Sequence, residues 1–454
     1  MKKLGIYVQV PFCSTKCTYC NFHTGVVAKE RFLPYVKAVC REVQGHGKLL
    51  KGAGVDWPGQ LGRSRIAPLQ EETQWPEAEA EFVVDTVYFG GGTPSLLETG
   101  QLGEILEVIR EAWGANGSGS VERNGGSTPR TRRGEDPAFD DQRRSCELYG
   151  GELQEVTLEA DPQTVDEQKA GAWVRAAINR VSLGVQSFSD KELAAAGRMH
   201  RRADIYRAVP ILREAGIRNI SFDLIAGLPH QTRESWKQSL AELVALAPEH
   251  VSVYLLEVDE GSRLGKELLA GGARYSAGAV PSEDEMAEFY ELGQAELRAA
   301  GYGHYEISNW AKPGFESKHN LKYWRREPYL GFGAGAHSFS GRQRWANAHD
   351  AAAYVSAIDS GRLPVEQLET VSPEQALDEE LFLGLRQLAG INLGRIEREY
   401  GVALEGRFAP LAAAGLLERE GDVVRLAEEK LGVSNEVFVE LMSFPRAADR
   451  QGLN

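Results

Sequence analysis

Three cysteines near the amino terminus, Cys13, Cys17 and Cys20, are spaced C-x3-C-x2-C. Thiolates this close in sequence can face one point only if the backbone wraps around it, and thiolate is the usual ligand of iron–sulfur clusters. A cubane cluster held by three cysteines keeps one iron open for a ligand that is not protein. Zinc sites usually take four ligands in paired C-x2-C units, so zinc and spare thiols are the weaker alternatives. The spacing predicts a [4Fe–4S] cluster.

The composition fits a cytoplasmic protein of more than one domain. The chain has 454 residues and five cysteines, which is too few cysteines for a disulfide framework. Cysteines that bind iron must stay reduced, which favours the cytoplasm. The apolar run at the amino terminus is too short for a signal peptide, and no stretch approaches about twenty apolar residues. The net charge of -14 disfavours nucleic acid as a partner.

Short β-branched runs alternate with helix-length segments through residues 1–260. Such alternation predicts parallel strands joined by crossover helices. Six units predict an α/β fold, a partial (β/α)6 barrel, in which chemistry takes place at the carboxyl ends of the strands. We expect strands at 4–10, 82–89, 156–160, 180–188, 220–226 and 250–258, and helices that include 100–113, 165–177, 205–215 and 233–247.

The remaining segments do not show this alternation of strands and helices. Residues 45–81 and 114–151 are rich in glycine and polar residues, so we expect surface insertions; Cys146 lies in the second and is not an expected ligand. Residues 261–365 are expected to cover the barrel. Residues 366–454 are mostly helical with a hairpin near Gly421, which predicts a winged-helix-like domain. Its acidic hairpin favours a structural or partner-docking role over DNA binding.

Polar and glycine residues cluster at the predicted strand ends. The run Gly90–Gly92 with Thr93 follows a strand directly, and glycines there let a backbone approach a ligand closely, although a tight turn is the alternative. Glu159, Gln186 and Asp223 lie on the third, fourth and fifth predicted strands, toward the ends of these strands. Buried groups of this kind are costly unless they are paired, so they meet either a ligand or one another in an interior hydrogen-bond network.

Taken together, these motifs resemble the coproporphyrinogen III dehydrogenase (HemN-like) group of the radical S-adenosylmethionine (SAM) superfamily. The resemblance covers nearly the whole chain outside the two insertions. It implies that the open iron binds SAM and that the SAM contacts lie at Tyr7, Tyr19, Gly91, Gly92, Thr93, Glu159, Gln186, Arg198 and Asp223. Read without the resemblance, Arg198 is either a carboxylate ligand or a solvated helix residue.

Three places in the chain bear on which class of this group it resembles. The dehydrogenases have a further cysteine where this chain has Phe22, and a histidine where it has Gln9. The sister class, HemW, has Asn-Phe after the third cysteine, as in Asn21-Phe22, and an H-N-x-x-Y-W run, as at residues 319–324. Gln9 departs from both classes, since HemW proteins usually also have histidine there.

The HemW resemblance implies a haem chaperone more than an enzyme. Such proteins bind haem as cargo and pass it to haem proteins of the respiratory chain; an electron donor and peripheral contact with membrane-bound clients are further implied partners. The alternative is oxygen-independent oxidative decarboxylation of coproporphyrinogen III to protoporphyrinogen IX. A third possibility is a radical SAM enzyme that acts on another substrate.

His319 is the candidate haem ligand. Haem iron takes an axial histidine, cysteine, methionine or tyrosine, and Tyr323 and Trp324 would supply an aromatic slot within about one helical turn. A lone histidine among aromatic residues is also a common core residue. His337, in a glycine-rich stretch expected to close over the SAM site, is the rival ligand.

Overall fold

The computed structural model describes residues 2–55, 82–113 and 153–442. The first half forms the predicted parallel strands, which are neighbours in chain order within one sheet. The prediction of an α/β fold built on parallel strands is therefore confirmed. The strands are β1 (Lys2–Val10), β2 (Phe82–Gly91), β3 (Glu155–Ala160), β4 (Arg180–Gln186), β5 (Asn219–Ala226) and β6 (His250–Leu255).

Alternation along each strand separates the helix-covered face from the interior. In β1, Ile6, Val8 and Val10 are fully buried, whereas Tyr7 and Gln9 between them are only partly buried. Successive side chains of a strand point to opposite faces, so the apolar set packs under the helices. The side chains of the other set, Tyr7 and Gln9, point to the opposite face of the sheet, which is the interior of the barrel.

The connecting helices pack against this sheet and begin at side-chain caps. Asp166, Ser189 and Thr232 each accept a hydrogen bond from the first turn of the helix that follows, which satisfies an otherwise unpaired amide. Trp173 and Trp236 are fully buried. The helices are α1 (Phe32–Gly52), α2 (Thr99–Trp113), α3 (Glu167–Arg175), α4 (Asp190–Ala195), α5 (Arg202–Ala215) and α6 (Arg233–Leu246).

The observed end of helix α1 corrects the predicted start of the first insertion. It continues to Gly52, so residues 45–52 are helical rather than part of an irregular insertion. Leu49 and Leu50 are buried in the core and hold this end of the helix to the sheet. Apart from residues 53–55, the rest of the expected insertions, with Cys146, lies outside the described residues.

The segment after residue 260 extends the sheet at both edges. Strands β9 to β12 continue it beyond β1, and β8 and β7 continue it beyond β6, which gives a twelve-stranded sheet within the described residues. This segment contains α7 (Arg263–Leu269), α8 (Glu283–Ala299), β7 (Gly303–Glu306), β8 (Asn309–Ala311), α9 (Lys318–Trp324), β9 (Tyr329–Phe332), β10 (His337–Phe339), β11 (Gln343–Asn347), α10 (Ala351–Asp359) and β12 (Val365–Thr370).

The carboxyl-terminal part forms helices around a small antiparallel sheet of order β13-β15-β14. Its apolar residues, among them Leu381, Phe408 and Phe438, belong to the same buried cluster as the barrel. The elements are α11 (Pro373–Leu385), β13 (Ile391–Asn392), α12 (Leu393–Tyr400), α13 (Glu405–Ala413), β14 (Leu417–Glu420), β15 (Val423–Leu426) and α14 (Ser434–Met442). Across the described residues, no helix combines the length and apolar character needed to cross a bilayer.

Candidate functional site

The loop that carries the three cysteines is fixed by backbone hydrogen bonds within the loop, to a residue shortly after the end of β2 and to the end of α4. The amide of Cys13 donates to the carbonyl of Gly25 at 3.0 Å, and the amide of Thr93, after β2, donates to the carbonyl of Phe12 at 2.7 Å. Thr18 donates to Ala196 at 3.0 Å, at the end of α4. The loop is therefore held in its wrapped form by the barrel itself.

The three thiols suit an iron–sulfur cluster. Cys13, Cys17 and Cys20 are partly exposed free thiols that line one cavity. Burial raises the pKa of Cys13 and of Cys20, so these thiols are protonated without metal, and binding iron would release the protons. Cys40 is buried in α1 among core residues and lies apart from the three.

The cavity has a volume of about 580 Å³ and opens beside the cysteine loop. It runs along the carboxyl ends of β2 to β6 and reaches residues 431–435 next to α14. Besides the cysteines, eight of the nine residues predicted to contact SAM line it: Tyr19, Gly91, Gly92, Thr93, Glu159, Gln186, Arg198 and Asp223. The structure thus brings these predicted residues together at one face.

The glycine loop is shaped by its protein neighbours. Gly91 has a φ of +108°, which only glycine adopts readily, and a side chain there would meet Gln9. A Cβ at Gly92 would meet the backbone of Phe12, the residue before Cys13. Gly92 is therefore required for the close approach of the cysteine loop.

Glu159 accepts two hydrogen bonds at the end of β3. The Tyr88 hydroxyl donates to Oε1 at 2.9 Å, and the Gly91 amide donates to Oε2 at 3.1 Å. Burial, opposed by the Tyr88 hydrogen bond, raises the pKa of Glu159 to about 7. The carboxylate orients the glycine loop and presents a titratable group to the cavity.

Gln186 is the last residue of β4, and Asp223 lies on the neighbouring strand β5. The Ser182 hydroxyl donates to Oδ2 of Asp223 at 2.9 Å, and burial raises the pKa of this carboxyl. Gln186 has a φ of +63° where the pairing of β4 with β5 shifts register. A left-handed backbone costs a non-glycine residue about 1–2 kcal/mol, and here it turns the amide side chain toward the cavity.

Arg198 is held by an ion pair that the sequence did not reveal. Its Nη2 donates to Oδ2 of Asp161 at 2.7 Å and to the carbonyl of Gly184 at 2.9 Å, and its Nη1 lies 3.6 Å from Cys17 Sγ. Burial opposes ionisation of Asp161, but a hydrogen bond from His200 and the charge of Arg198 keep its pKa low. The only sequence signal was the position of Asp161 directly after a strand.

Tyr7 lies behind the cavity wall. Its ring stacks on Tyr88 with centroids 6.0 Å apart, and its hydroxyl donates to Oε1 of Gln9 at 2.7 Å. Tyr7 is not among the residues that line the described cavity, so a direct SAM contact stays a prediction. Gln9 fills the space beside Gly91.

His319 is enclosed and fully hydrogen-bonded. Its Nδ1 is bonded to Thr86 Oγ1 at 2.8 Å and its Nε2 to the Tyr323 hydroxyl at 2.9 Å. Burial and the charge of Lys322 lower the pKa of this imidazole to about 3, so it is neutral. Iron ligation at His319 would require one of these bonds to break, and it stays an untested prediction. Ser317 and Asn320, its near neighbours in the chain, do line the cavity.

Sequence reasoning missed the floor of the cavity. Arg180, Ser221 and His250 line it, and His250 is bonded through Nδ1 to Ser221 and through Nε2 to the Tyr305 hydroxyl, both at 2.8 Å. Polar residues inside otherwise apolar strands were the available signal. They form a polar interior below the strand ends.

Comparison with known families and proteins agrees with this architecture. The model of the radical SAM superfamily matches residues 7–243, and the model of the HemN C-terminal domain matches residues 371–429. The fold is similar to that of coproporphyrinogen III oxidase (HemN) from Escherichia coli, with a TM-score of 0.72, 19% identity, and coverage of 98% of this chain and 91% of that chain. At that identity the likeness shows the fold alone.

Curated relatives identify the family of this chain more narrowly than the superfamily model does. The haem chaperone HemW of Bacillus subtilis is 32% identical over 436 residues, covering 95% of this chain and 97% of that protein. HemW of Synechocystis is 34% identical over 399 residues, covering 86% of this chain and 79% of that protein. HemW of Escherichia coli is 30% identical over 334 residues, covering 74% and 69%. This chain belongs to the HemW family of the radical SAM superfamily.

Proposed function

We propose that this protein is a haem chaperone. In this account it holds a [4Fe–4S] cluster at Cys13, Cys17 and Cys20, binds SAM in the adjoining cavity, and carries haem to respiratory haem proteins. The proposal includes an electron donor for the cluster, a cytoplasmic location, and peripheral contact with membrane-bound clients. Support for the location comes from the three cysteines, which must stay reduced to bind iron.

The observation that carries the proposal is Phe22. It lies two residues after Cys20, where the dehydrogenases have a cysteine, and its side chain is 64% exposed at the rim of the cavity. A large apolar side chain left in water there favours contact with an apolar partner. Together with 32% identity to a HemW over nearly the full chain, this supports haem carriage over decarboxylation.

The chain's own residues have definable tasks in the cofactor site. The thiols would hold three irons, and the cluster with SAM would supply one-electron chemistry. Glu159 positions the glycine loop through the Gly91 amide, and the Asp161 carboxylate holds Arg198 beside Cys17. Asp223 and Gln186 present polar atoms to the same cavity, which supports their role in SAM binding.

Haem transfer tests the proposal. The reconstituted protein is loaded with ferric haem and added to membrane vesicles that contain a haem-free respiratory oxidase from haem-starved cells. We expect the loaded protein to restore oxygen consumption, and an equal amount of haem on serum albumin to restore much less. If albumin-bound haem restores activity equally well, the chain has no delivery role.

A further inference from the structure

A second group of metal-binding side chains lies just outside the cavity. His23 stands between Phe22 and Thr24, which both line the cavity, but its own ring packs against His349 from the loop before α10. The two ring centroids are 3.7 Å apart and the planes differ by 28°. The pair therefore joins the cysteine loop to the loop that follows β11.

The imidazole of His23 is available for ligation. His23 is exposed, and among the described residues no hydrogen-bond partner occupies its ring nitrogens. His349 is more enclosed: its Nδ1 is buried near Gly335 without a hydrogen-bond partner among the described residues, and its Nε2 lies 3.9 Å from the Glu366 carboxylate. Stacking on this more enclosed ring limits the orientations that the imidazole of His23 can adopt.

Exposed apolar side chains flank His23. Phe22 is 64% exposed, Val26 60% and Val27 41%, so three large apolar side chains in six residues face water beside one imidazole. At the edge of this patch, the Lys16 ammonium donates to the carbonyl of Phe22 at 3.3 Å and supplies a positive charge. An apolar surface with one nitrogen ligand and a cation suits a flat apolar ring that carries a metal and carboxylates.

A bare metal ion fits the patch poorly. At this patch, no third histidine, cysteine, aspartate or glutamate of the described ranges joins His23 and His349 in a group placed to hold a metal ion. Haem needs only one or two protein ligands, because the porphyrin supplies four. His319, the ligand expected from the sequence, is buried with both nitrogens engaged, whereas His23 needs no such rearrangement.

We propose that His23 is an axial ligand of the haem iron, positioned by its stacking on His349. Phe22, Val26 and Val27 contact one face of the porphyrin, and Lys16 lies near a propionate. This inference rests on the proposed function, because it assigns the cargo of that function to a surface. It places haem beside the cluster loop rather than at the buried H-N-x-x-Y-W run.

The test compares ferric haem with metal-free protoporphyrin IX. In His23→Ala we expect haem affinity to fall by about a hundredfold and the Soret band to shift, with protoporphyrin IX affinity unchanged, since that ring has no iron to ligate. In Phe22→Ala we expect both affinities to fall. In His349→Ala we expect a loss of haem affinity of about tenfold, as for a group that orients a ligand.

Controls separate this site from the proposed function. His230→Asn changes a histidine in the loop between β5 and α6, whose backbone amide donates to the carbonyl of Ala279; this variant should bind haem normally. Iron content of the cluster should be unchanged in every variant. Failure of the unmodified protein to bind haem would overturn both proposals. Normal haem binding with an unchanged Soret band in His23→Ala would overturn this site alone and return the ligand to His319 or His337.

Discussion

The strand-end cavity and helix α9 were both predicted from the sequence to bind ligands, yet their polar side chains have different surroundings in the structure. Around the cavity, the thiols of Cys13 and Cys20 and the side chain of Gln186 face open space. On α9, the imidazole of His319 has a partner at each nitrogen. Polar groups that face a cavity are available for ligands, whereas buried and paired groups of the same types hold the fold together.

Helix α9 is fastened to the sheet by several such pairs. The Glu155 carboxylate accepts hydrogen bonds from the amides of Lys318 and His319, both at 3.0 Å. The buried Lys322 ammonium lies 2.7 Å from Asp85. These contacts join the motif to β2 and β3, so the H-N-x-x-Y-W run is explained as a clamp that closes one side of the barrel.

The largest expected effect is on the cluster. Cys17→Ser removes one of three thiolates, so nearly all bound iron and the brown absorbance should be lost after anaerobic reconstitution. Cys40→Ser is the matched control, because Cys40 is buried in α1 and should leave iron content unchanged. Full iron content in Cys17→Ser would contradict the assignment of the cavity.

Gly92→Val should also lose most of its iron. The new side chain would meet the backbone of Phe12 and displace the loop that carries Cys13. Gly100→Val is a control in α2, where a Cβ has open space. Iron and SAM binding, measured separately, distinguish this account from collision with SAM alone, which would spare the iron.

His319→Ala sharpens the contrast between the two regions. It removes two buried hydrogen bonds and leaves a cavity, so the free energy of unfolding should fall by about 3 kcal/mol, as measured by urea denaturation. The Soret band of bound haem should not change. An altered Soret band in a still-folded His319→Ala protein would show that the clamp region is a haem site after all.

Asp223→Asn should weaken SAM binding by about tenfold, equivalent to roughly 1.4 kcal/mol. The variant keeps the hydrogen bond with Ser182 in part but loses the negative charge at the cavity. Iron content should stay normal, because Ser182 and Ser221, the hydrogen-bond partners of Asp223, lie on β4 and β5 and not on the cysteine loop. Equilibrium dialysis with labelled SAM measures the change, and an unchanged affinity would remove Asp223 from the SAM contacts.

The smallest effect concerns Glu159 and pH. Its pKa is raised to about 7, so between pH 4.5 and 7 the folded protein keeps a proton that the unfolded chain loses. Stability without SAM should therefore fall as pH rises through this range. Glu159→Gln removes this pH-dependent contribution to stability. The free energy of unfolding of the variant, relative to that of wild type, should therefore increase by about 1 kcal/mol from pH 5 to pH 8. The expected change is this small because the cavity partly solvates the carboxyl group. Parallel pH profiles would contradict the raised pKa.

The sequence predicted the barrel strands because each is an apolar run followed by glycine or a polar residue. It also predicted the cluster loop, where spacing alone brings ligands together. The strands β7 to β12 were not predicted, since they are three to six residues long. The pairs that attach them to the barrel, β1 with β9 and β6 with β8, join segments far apart in sequence. The burial of His319 depends on Thr86, which is 233 residues away, and no local pattern contains that contact.

The most direct test of the central claim is a paired incubation of the reconstituted protein with SAM and a reductant. One sample contains haem and the other contains coproporphyrinogen III, and the porphyrins are separated by chromatography. Haem should remain bound and chemically unchanged, and coproporphyrinogen III should be recovered intact. Formation of protoporphyrinogen IX by the purified protein would contradict the account and identify the chain as a dehydrogenase.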